Sequence, residues 1–209
     1  FCKQIKGALS IGDSANAEID KAKRKNIKLN HSATHLLHSA LIKNIGTSVQ
    51  QKGSLVSDEK LRFDFSCEKP IKREVLNTIE IEVNKNIERK IPATTKIMNK
   101  DQAISAGAIA LFGEKYDETV RVLSFGDVST ELCGGTHVNN TGDIGVFKIL
   151  SESSIASGVR RIEAITGMSA QDYITKRDNL VSDICQTLNV QDDDLKDKIN
   201  SLVSDNKKL

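Results

Sequence analysis

Two short segments carry the residue types of a single metal site: His31-Ser32-Ala33-Thr34-His35 and Cys133-Gly134-Gly135-Thr136-His137. Residues four apart share one face of a helix, so His31 and His35 can point at one ion, and Cys133 and His137 can complete a set of four ligands. A thiolate with three imidazoles suits Zn²⁺, whereas Ca²⁺ and Mg²⁺ prefer oxygen ligands. The two segments therefore predict a zinc site.

The alternative interpretation is that the histidines are surface or core residues and that Cys133 is a small apolar filler. A lone histidine pair would favour that alternative, but three of the four histidines in the chain belong to these two segments. The Gly134-Gly135 pair also frees the backbone to bring Cys133 and His137 around one ion. The pattern is not that of a metalloprotease, because Ser32 stands where those enzymes have a glutamate as general base.

The amino-acid composition excludes only a few classes of protein. The chain has 209 residues, of which 38% are hydrophobic and 28% charged, as expected for one or two globular domains. No apolar stretch approaches the length of a membrane span and no signal peptide is visible, so we expect no membrane partner. The four cysteines form no disulfide framework, which favours a reducing, cytoplasmic location. Because the first residue is Phe1, we expect a piece of a longer protein.

The net charge is only +2, but basic residues cluster just before the first histidine pair, at Lys21, Lys23, Arg24, Lys25 and Lys28. Taken alone, such a cluster is typical of a solvated helix face. Its position beside a metal site favours a second interpretation, in which a nucleic-acid phosphate backbone runs into the site.

The pattern of elements divides the chain into three parts. Residues 1–29 carry few apolar residues and are too few to fold alone, so we interpret them as the tail of an upstream domain. Residues 30–167 form the main body, in which helical and strand patterns alternate. Residues 168–209 are helical throughout, with two apolar stripes that are typical of packing against another helix: Ile174, Val181, Ile184 and Leu188, then Leu195, Ile199 and Leu202.

The main body predicts an α+β domain with a mainly antiparallel sheet. Asn30 is a plausible N-cap for a first helix that runs to about Asn44. Apolar residues every fourth position predict a second helix over residues 75–87, and Asn99 caps a short third helix that ends near Gly107. The predicted strands cover residues 61–65, 94–98, 119–125, 145–150 and 159–165. The predicted fold is therefore a sheet packed with helices around a zinc site, followed by a helical extension.

Six segments, in this order along the chain, carry a resemblance to a known family: residues 30–38, 51–56, 61–65, 110–116, 129–137 and 158–163. Together they resemble the editing domain of bacterial alanyl-tRNA synthetases and cover about residues 30–167. Residues 1–29 resemble the end of the β-barrel that precedes this domain, and the chain beyond residue 170 resembles the start of the C-terminal helical region. Free-standing editing proteins share both ligand segments, but the flanking residues favour a fragment of the synthetase.

The resemblance implies hydrolysis of the ester that joins a wrong amino acid, serine or glycine, to tRNA(Ala). The implied partners are the aminoacylated 3′ end of that tRNA and the rest of the parent synthetase. Nothing in the chain resembles the aminoacylation domain, so ATP and Mg²⁺ belong only to the parent ligase. Two pocket residues carry over by position, Thr34 and Gln51. Without the resemblance, Thr34 is a helix hydroxyl bonded to its own backbone and Gln51 is a solvated loop residue.

Physical reasoning explains why a synthetase for alanine needs a second site. A pocket for alanine cannot exclude glycine sterically, and it rejects serine by only one hydroxyl, so binding alone gives modest discrimination. A hydrolytic site that hydrogen-bonds the serine hydroxyl leaves its polar groups unpaired with alanine. Such a site can reject alanine by a factor on the order of 10⁴.

The sequence leaves the mechanism open. Four protein ligands close the zinc shell, so one ligand is displaced, the ion expands to five-coordinate, or it only orients the substrate. No residue stands out as a general base. We expect His38 to be rotated about 100° or more from the mean direction of His31 and His35, as a packing residue or a contact of a ligand. Two other functions stay open: a zinc-stabilised RNA-binding module without catalysis, and a thiol hydrolase that uses Cys133 and His137.

Overall fold

A computed structural model describes residues 10–14, 16–110 and 116–207. Phe1, Cys2 and most of the resembling segment at 110–116 lie outside the described residues. The helices are α1 (Lys21–Ile45), α2 (Arg73–Glu88), α3 (Lys100–Ser105), α4 (Gly167–Leu188) and α5 (Leu195–Asn206). The strands are β1 (Gln51–Val56), β2 (Leu61–Ser66), β3 (Ala93–Asn99), β4 (Thr119–Phe125), β5 (Ser129–Leu132), β6 (Phe147–Ala156) and β7 (Val159–Thr166).

The strands form two antiparallel sheets, which confirms the predicted α+β class. One sheet has the order β1-β2-β7-β6 and the other has the order β3-β4-β5. In the larger sheet β2 pairs with β7 over its full length, from Leu61 opposite Ala164 to Ser66 opposite Val159. Helix α1 packs against α2 and against β1, β2 and β7, and it also contacts β5 of the smaller sheet. It therefore links the two sheets.

The core is built from one face of each element. Leu36, Leu37 and Leu41 of α1 have no exposed surface, and neither do Phe63 and Phe65, which alternate with polar residues along β2. Each such side chain contributes about 1.5–3 kcal/mol by leaving water. This packing fixes which face of α1 turns inward, and so it also fixes where the histidines of α1 point.

The predicted start of the first helix was wrong. Helix α1 begins at Lys21, and its N-cap is Asp20, whose side chain accepts a hydrogen bond from the Lys23 backbone N–H. Asn30 lies inside the helix. Its amide donates to the Ser57 carbonyl at 2.9 Å and its amide oxygen accepts from the Thr166 hydroxyl at 2.7 Å. Asn30 therefore ties α1 to two other segments instead of capping it, and α1 runs through the predicted boundary between residues 29 and 30.

The other predicted elements of the main body are confirmed, with two omissions. Helix α2 carries the predicted apolar face, and the Asn99 side chain accepts from the backbone N–H groups of Asp101 and Gln102 at the start of α3. Strand β6 continues six residues beyond its predicted end at Leu150. Strands β1 and β5 were missed, because β1 has no strict alternation and β5 is only four residues long. Gln51 is thus the first residue of a strand and not a loop residue.

The two C-terminal helices are present, and much of their apolar stripes is exposed in the described part of the chain. Within the described part of α4, only Ala170 and Cys185 are buried, whereas Val181 and Ile184 are each 37% exposed. Leu202 of α5 is 46% exposed. Among the residues that the structure describes, no helix is both long enough and apolar enough to cross a membrane.

Candidate metal centre

The four predicted ligands lie together at the junction of α1 and the segment that follows β5. Their ligand atoms are all within 4.8 Å of one another. Cys133 Sγ lies 3.6 Å from His31 Nε2 and 3.3 Å from His137 Nε2. A tetrahedral zinc ion with bonds of about 2.3 Å to sulfur and about 2.0–2.1 Å to nitrogen holds those atoms about 3.6 Å apart. The two distances from Cys133 therefore fit zinc, and the group as a whole could hold a metal ion.

The surroundings of His35 are a second indication of a metal site. The residue is 6% exposed, and its Nδ1 lies 2.9 Å from Glu131 Oε2, although the oxygen lies off the N–H direction of the ring. Nε2, on the other side of the ring, is buried and has no hydrogen-bond partner among the described residues. A buried imidazole nitrogen without a partner is costly, and an ion between the four residues would satisfy it.

The charges around the cluster favour the ligand form of Cys133. Burial raises the pKa of the Cys133 thiol, but the imidazoles of His137, His31 and His35 more than offset this and bring it to about 3. Burial lowers the pKa of His35, and the Glu131 carboxylate and Cys133 together raise it to about 10. In the metal-free protein the cluster is thus a thiolate beside a protonated imidazole. The thiolate is the form that binds zinc.

Arg121 of β4 holds the segment that carries Cys133. One guanidinium nitrogen donates to the backbone carbonyl of Cys133 at 3.0 Å and to that of Gly135 at 2.6 Å. The Gly134-Gly135 pair does not act through left-handed backbone, since neither residue has a positive φ. Instead, a Cβ at Gly135 would overlap the His31 ring, whereas a Cβ at Gly134 would meet open space. Gly135 is required because the ligand ring packs on its backbone.

Ser32 lies beside His137 and fixes the other end of the same segment. Its Oγ accepts a hydrogen bond from the Val138 backbone N–H at 3.1 Å and lies 3.5 Å from His137 Nδ1. Sequence reasoning treated Ser32 only as the residue that replaces a protease glutamate. In the fold it connects α1 to the His137 ligand.

A cavity of about 420 Å³ opens beside the cluster. The lining includes His31, His35 and Cys133 together with both predicted pocket residues, Thr34 and Gln51. The rest of the lining comes from β1 and from Tyr116, Glu131, Leu132 and Gly134. A small ligand in this cavity could contact three of the four predicted metal ligands together with the two predicted recognition residues.

The Thr34 hydroxyl has a defined hydrogen-bond role. It donates to the backbone carbonyl of Asn30 at 2.9 Å, and the residue is 4% exposed. The hydroxyl hydrogen of Thr34 is therefore already donated to Asn30. Oγ1 can only accept a further hydrogen bond, so a ligand hydroxyl would have to be the donor. Gln51 sits at an irregular step of the β1–β2 pairing, where the register shifts between Gln51 and Gly53.

The basic cluster does not line the cavity; it occupies the first two turns of α1. No ion pair joins any of its five residues to another described residue. Arg24 and Lys28 lie seven and three residues before His31, so they continue the helix face that carries His31 and His35. Because α1 is unbroken, the cluster begins about 15 Å from the metal ligands along the helix axis.

Glu131 was not predicted from the sequence, and His38 does not point where the sequence predicted. Seven residues turn a helix by about 700°, within about 20° of two full turns, so His38 shares the face of His31 and His35. His38 Nδ1 lies 3.2 Å from Glu131 Oε1. The predicted rotation of 100° was wrong, and His38 contacts the carboxylate that contacts a ligand. Only the three-dimensional pairing of α1 with β5 reveals Glu131.

A match to a known protein family covers part of the candidate site. The matched segment contains Arg121, Glu131, Cys133 and His137, and the matched family includes both alanyl and threonyl enzymes, so the match does not distinguish between them. Residues 120–163 are similar to the family described as threonyl and alanyl tRNA synthetase second additional domain, and this similarity supports a relationship of the segment to the editing domains of those synthetases.

Proposed function

We propose that this chain is the editing part of an alanyl-tRNA synthetase and that it hydrolyses seryl- or glycyl-tRNA(Ala). The observation that carries the proposal is the cavity in which Thr34 and Gln51 adjoin three of the four metal-ligand residues. The family match at residues 120–163 supports an editing role at family level. The choice of alanyl over threonyl rests on the six resembling segments. In this proposal, the editing domain runs from the start of α1 to residue 167, because α1 crosses the boundary predicted at residues 29 and 30. The residues before α1 and residues 168–209 belong to its neighbours in the synthetase.

The cavity offers a physical basis for choosing serine. The Thr34 hydroxyl is committed to Asn30 as a donor, so its oxygen can accept the hydroxyl hydrogen of a seryl ester. An alanyl ester has no hydroxyl and would leave that buried oxygen without the bond, as a glycyl ester also would, so this contact accounts for the choice of serine over alanine only. Thr34 follows His31 by three residues and precedes His35 by one. It would therefore contact the amino-acid side chain of an ester that is held at the metal ligands.

The proposed cofactor is Zn²⁺, held by His31, His35, Cys133 and His137. When bound, it supplies a positive centre that orients or polarises the aminoacyl ester. The chain positions its ligands through Glu131 at His35, through Ser32 at His137 and through Arg121 at the Cys133 segment. We assign no residue as general base.

The proposed path of the tRNA follows α1. Lys21, Lys23, Arg24, Lys25 and Lys28 form a basic surface that leads along the helix toward His31. Phosphates of the acceptor end would bind there, and the terminal ester would then reach the cavity. The positive end of the helix dipole adds to the attraction.

One observation favours a second candidate function. Cys133 has a pKa lowered to about 3 and lies 3.3 Å from His137 Nε2, which is the arrangement of an activated thiol in a cysteine hydrolase. A zinc-bound thiolate is not a free nucleophile, so the two functions exclude each other. A thiol-specific alkylating reagent should leave Cys133 of the zinc-loaded protein unmodified, whereas a thiol hydrolase would be alkylated and inactivated.

A panel of esters tests the proposal. We expect the purified chain to hydrolyse seryl-tRNA(Ala) and glycyl-tRNA(Ala) and to spare alanyl-tRNA(Ala). Seryl-tRNA(Thr) is the matched control, because it carries the same amino acid on the tRNA that a threonyl enzyme would edit. Preference for seryl-tRNA(Thr) would contradict the alanyl assignment, and binding without hydrolysis of any ester would favour the non-catalytic RNA-binding module.

A further inference from the structure

Glu131 is a buried carboxylate that joins two histidines of the same helix. It is 2% exposed. Its Oε2 lies 2.9 Å from His35 Nδ1, and its Oε1 lies 3.2 Å from His38 Nδ1. The Ser129 hydroxyl donates to the same Oε1 at 3.0 Å. Oε2 therefore lies against His35, a predicted metal ligand. Oε1 contacts His38 and Ser129, which are not predicted ligands.

This arrangement favours a proton on Nδ1 of both rings. An ionised carboxylate only accepts hydrogen bonds, so His38 donates to Oε1 from Nδ1. The 2.9 Å approach of Oε2 to His35 Nδ1 favours a proton on that nitrogen as well. For His35 this leaves Nε2 on the side of the metal-ligand cluster. Once Nε2 has lost its proton, its lone pair is the one that a zinc ligand needs.

His38 is not simply a core residue. It is 2% exposed and its ring packs 5.3 Å from that of Phe63, as an apolar side chain could. However, a buried imidazole whose Nε2 has no hydrogen-bond partner among the described residues is a costly filler. The one side-chain hydrogen bond described for His38 is to Glu131. We therefore infer that the imidazole acts through this contact.

We propose that His38 is a positioning residue of the metal centre: it holds the Glu131 carboxylate against His35 and so keeps His35 Nε2 turned toward the other three ligands. The inference rests on the proposed metal centre. His38 and Ser129 are the two donors described for Oε1, so without His38 only the Ser129 hydroxyl would hold that oxygen and the carboxylate would be freer to rotate away from His35. Carboxylates that orient ligand histidines commonly change metal affinity by 10–100-fold when replaced.

Two amide variants separate positioning from packing. In His38→Asn the amide NH₂ stands near the place of Nδ1 and can still donate to Glu131, whereas in His38→Gln it stands near the place of Nε2. Both variants are polar and uncharged, so the cost of burying them is similar. We expect His38→Asn to bind zinc within about threefold of wild type, and His38→Gln to bind it about tenfold more weakly, in line with the loss of a carboxylate contact.

The readouts are zinc affinity by competition with a chelator and the visible spectrum of the Co²⁺-substituted protein, which reports ligand geometry. Glu131→Gln is the reference for full loss of the carboxylate. In a Glu131→Gln background, His38→Gln should cause little further loss, because His38 acts through Glu131. Asn and Gln variants with equal zinc affinity, or a full additional loss in the double variant, would overturn the positioning role. A wild-type chain that binds no zinc would overturn the metal centre itself, so the two failures are distinguishable.

Discussion

The His31 ring packs against the backbone of Gly135, in the space that a side chain at position 135 would fill. We therefore predict that Gly135→Ala displaces this ligand ring and weakens zinc binding, at a cost of about 1–3 kcal/mol for the overlap. Gly134→Ala is the matched control, because an added Cβ there meets no atom within 4 Å. Chelator competition and thermal unfolding measure both variants. Equal effects of the two substitutions would show that the ring does not depend on Gly135.

Replacing Cys133 should remove zinc from the chain. We expect Cys133→Ala to reduce metal content well below one zinc per chain and to abolish hydrolysis, since three histidines hold the ion less tightly. Cys67→Ala is the control, because Cys67 contacts the Lys69 carbonyl and lies outside the metal cluster. Elemental analysis after gel filtration gives the metal content. Full occupancy in Cys133→Ala would contradict the four-ligand assignment and leave a site of three histidines.

Zinc affinity should rise with pH between about pH 7 and 9. In the metal-free protein the pKa of His35 is raised to about 10, so a proton on Nε2 must leave before zinc binds there. The pKa of Cys133 is already about 3, so the thiol adds no pH dependence in this range. One displaced proton predicts about a tenfold gain in affinity per pH unit. Competition titrations at pH 7, 8 and 9 measure the slope, and a flat profile would show that His35 is neutral before zinc arrives.

Neutralising the basic cluster should weaken binding to any tRNA, whatever its nucleotide sequence. If Lys21, Lys25 and Lys28 contact phosphates, changing all three to Gln should lower the slope of log K against log salt by about two to three units. Three lysines at the far end of the chain provide the control, namely Lys196, Lys198 and Lys207. An unchanged salt slope in the first variant would return the cluster to the role of a solvated helix face.

Replacing Thr34 with valine tests how the cavity distinguishes serine from alanine. Valine keeps the branched shape and removes the hydroxyl oxygen, so zinc should stay bound. Hydrolysis of seryl-tRNA(Ala) should lose about 1–3 kcal/mol of transition-state stabilisation relative to alanyl-tRNA(Ala). Thr78→Val is a matched control, since Thr78 makes the same bond to a carbonyl four residues earlier, in α2. An unchanged ratio of kcat/KM with zinc retained would assign the discrimination to Gln51 or to a backbone group.

The grouping of His31 and His35 was predictable from the sequence because helical spacing alone brings them to one face. The residues that hold the ligands were not predictable, because Glu131 and Arg121 reach the site through pairings of α1 with β5 and of β4 with β5. The start of α1 was mispredicted because Asn30 has the chemistry of an N-cap but uses it in tertiary contacts with Ser57 and Thr166. Local propensity could not reveal those contacts.

Zinc-dependent hydrolysis of seryl-tRNA(Ala) is the central claim, and single-turnover deacylation by stripped and zinc-reconstituted protein tests it most directly. We predict that the reconstituted chain, with one zinc bound, hydrolyses seryl-tRNA(Ala) well above the spontaneous rate while alanyl-tRNA(Ala) is spared. The stripped chain should be inactive and should recover on adding zinc. A fully zinc-loaded chain that releases serine no faster than buffer, or a stripped chain that is equally active, would contradict the account.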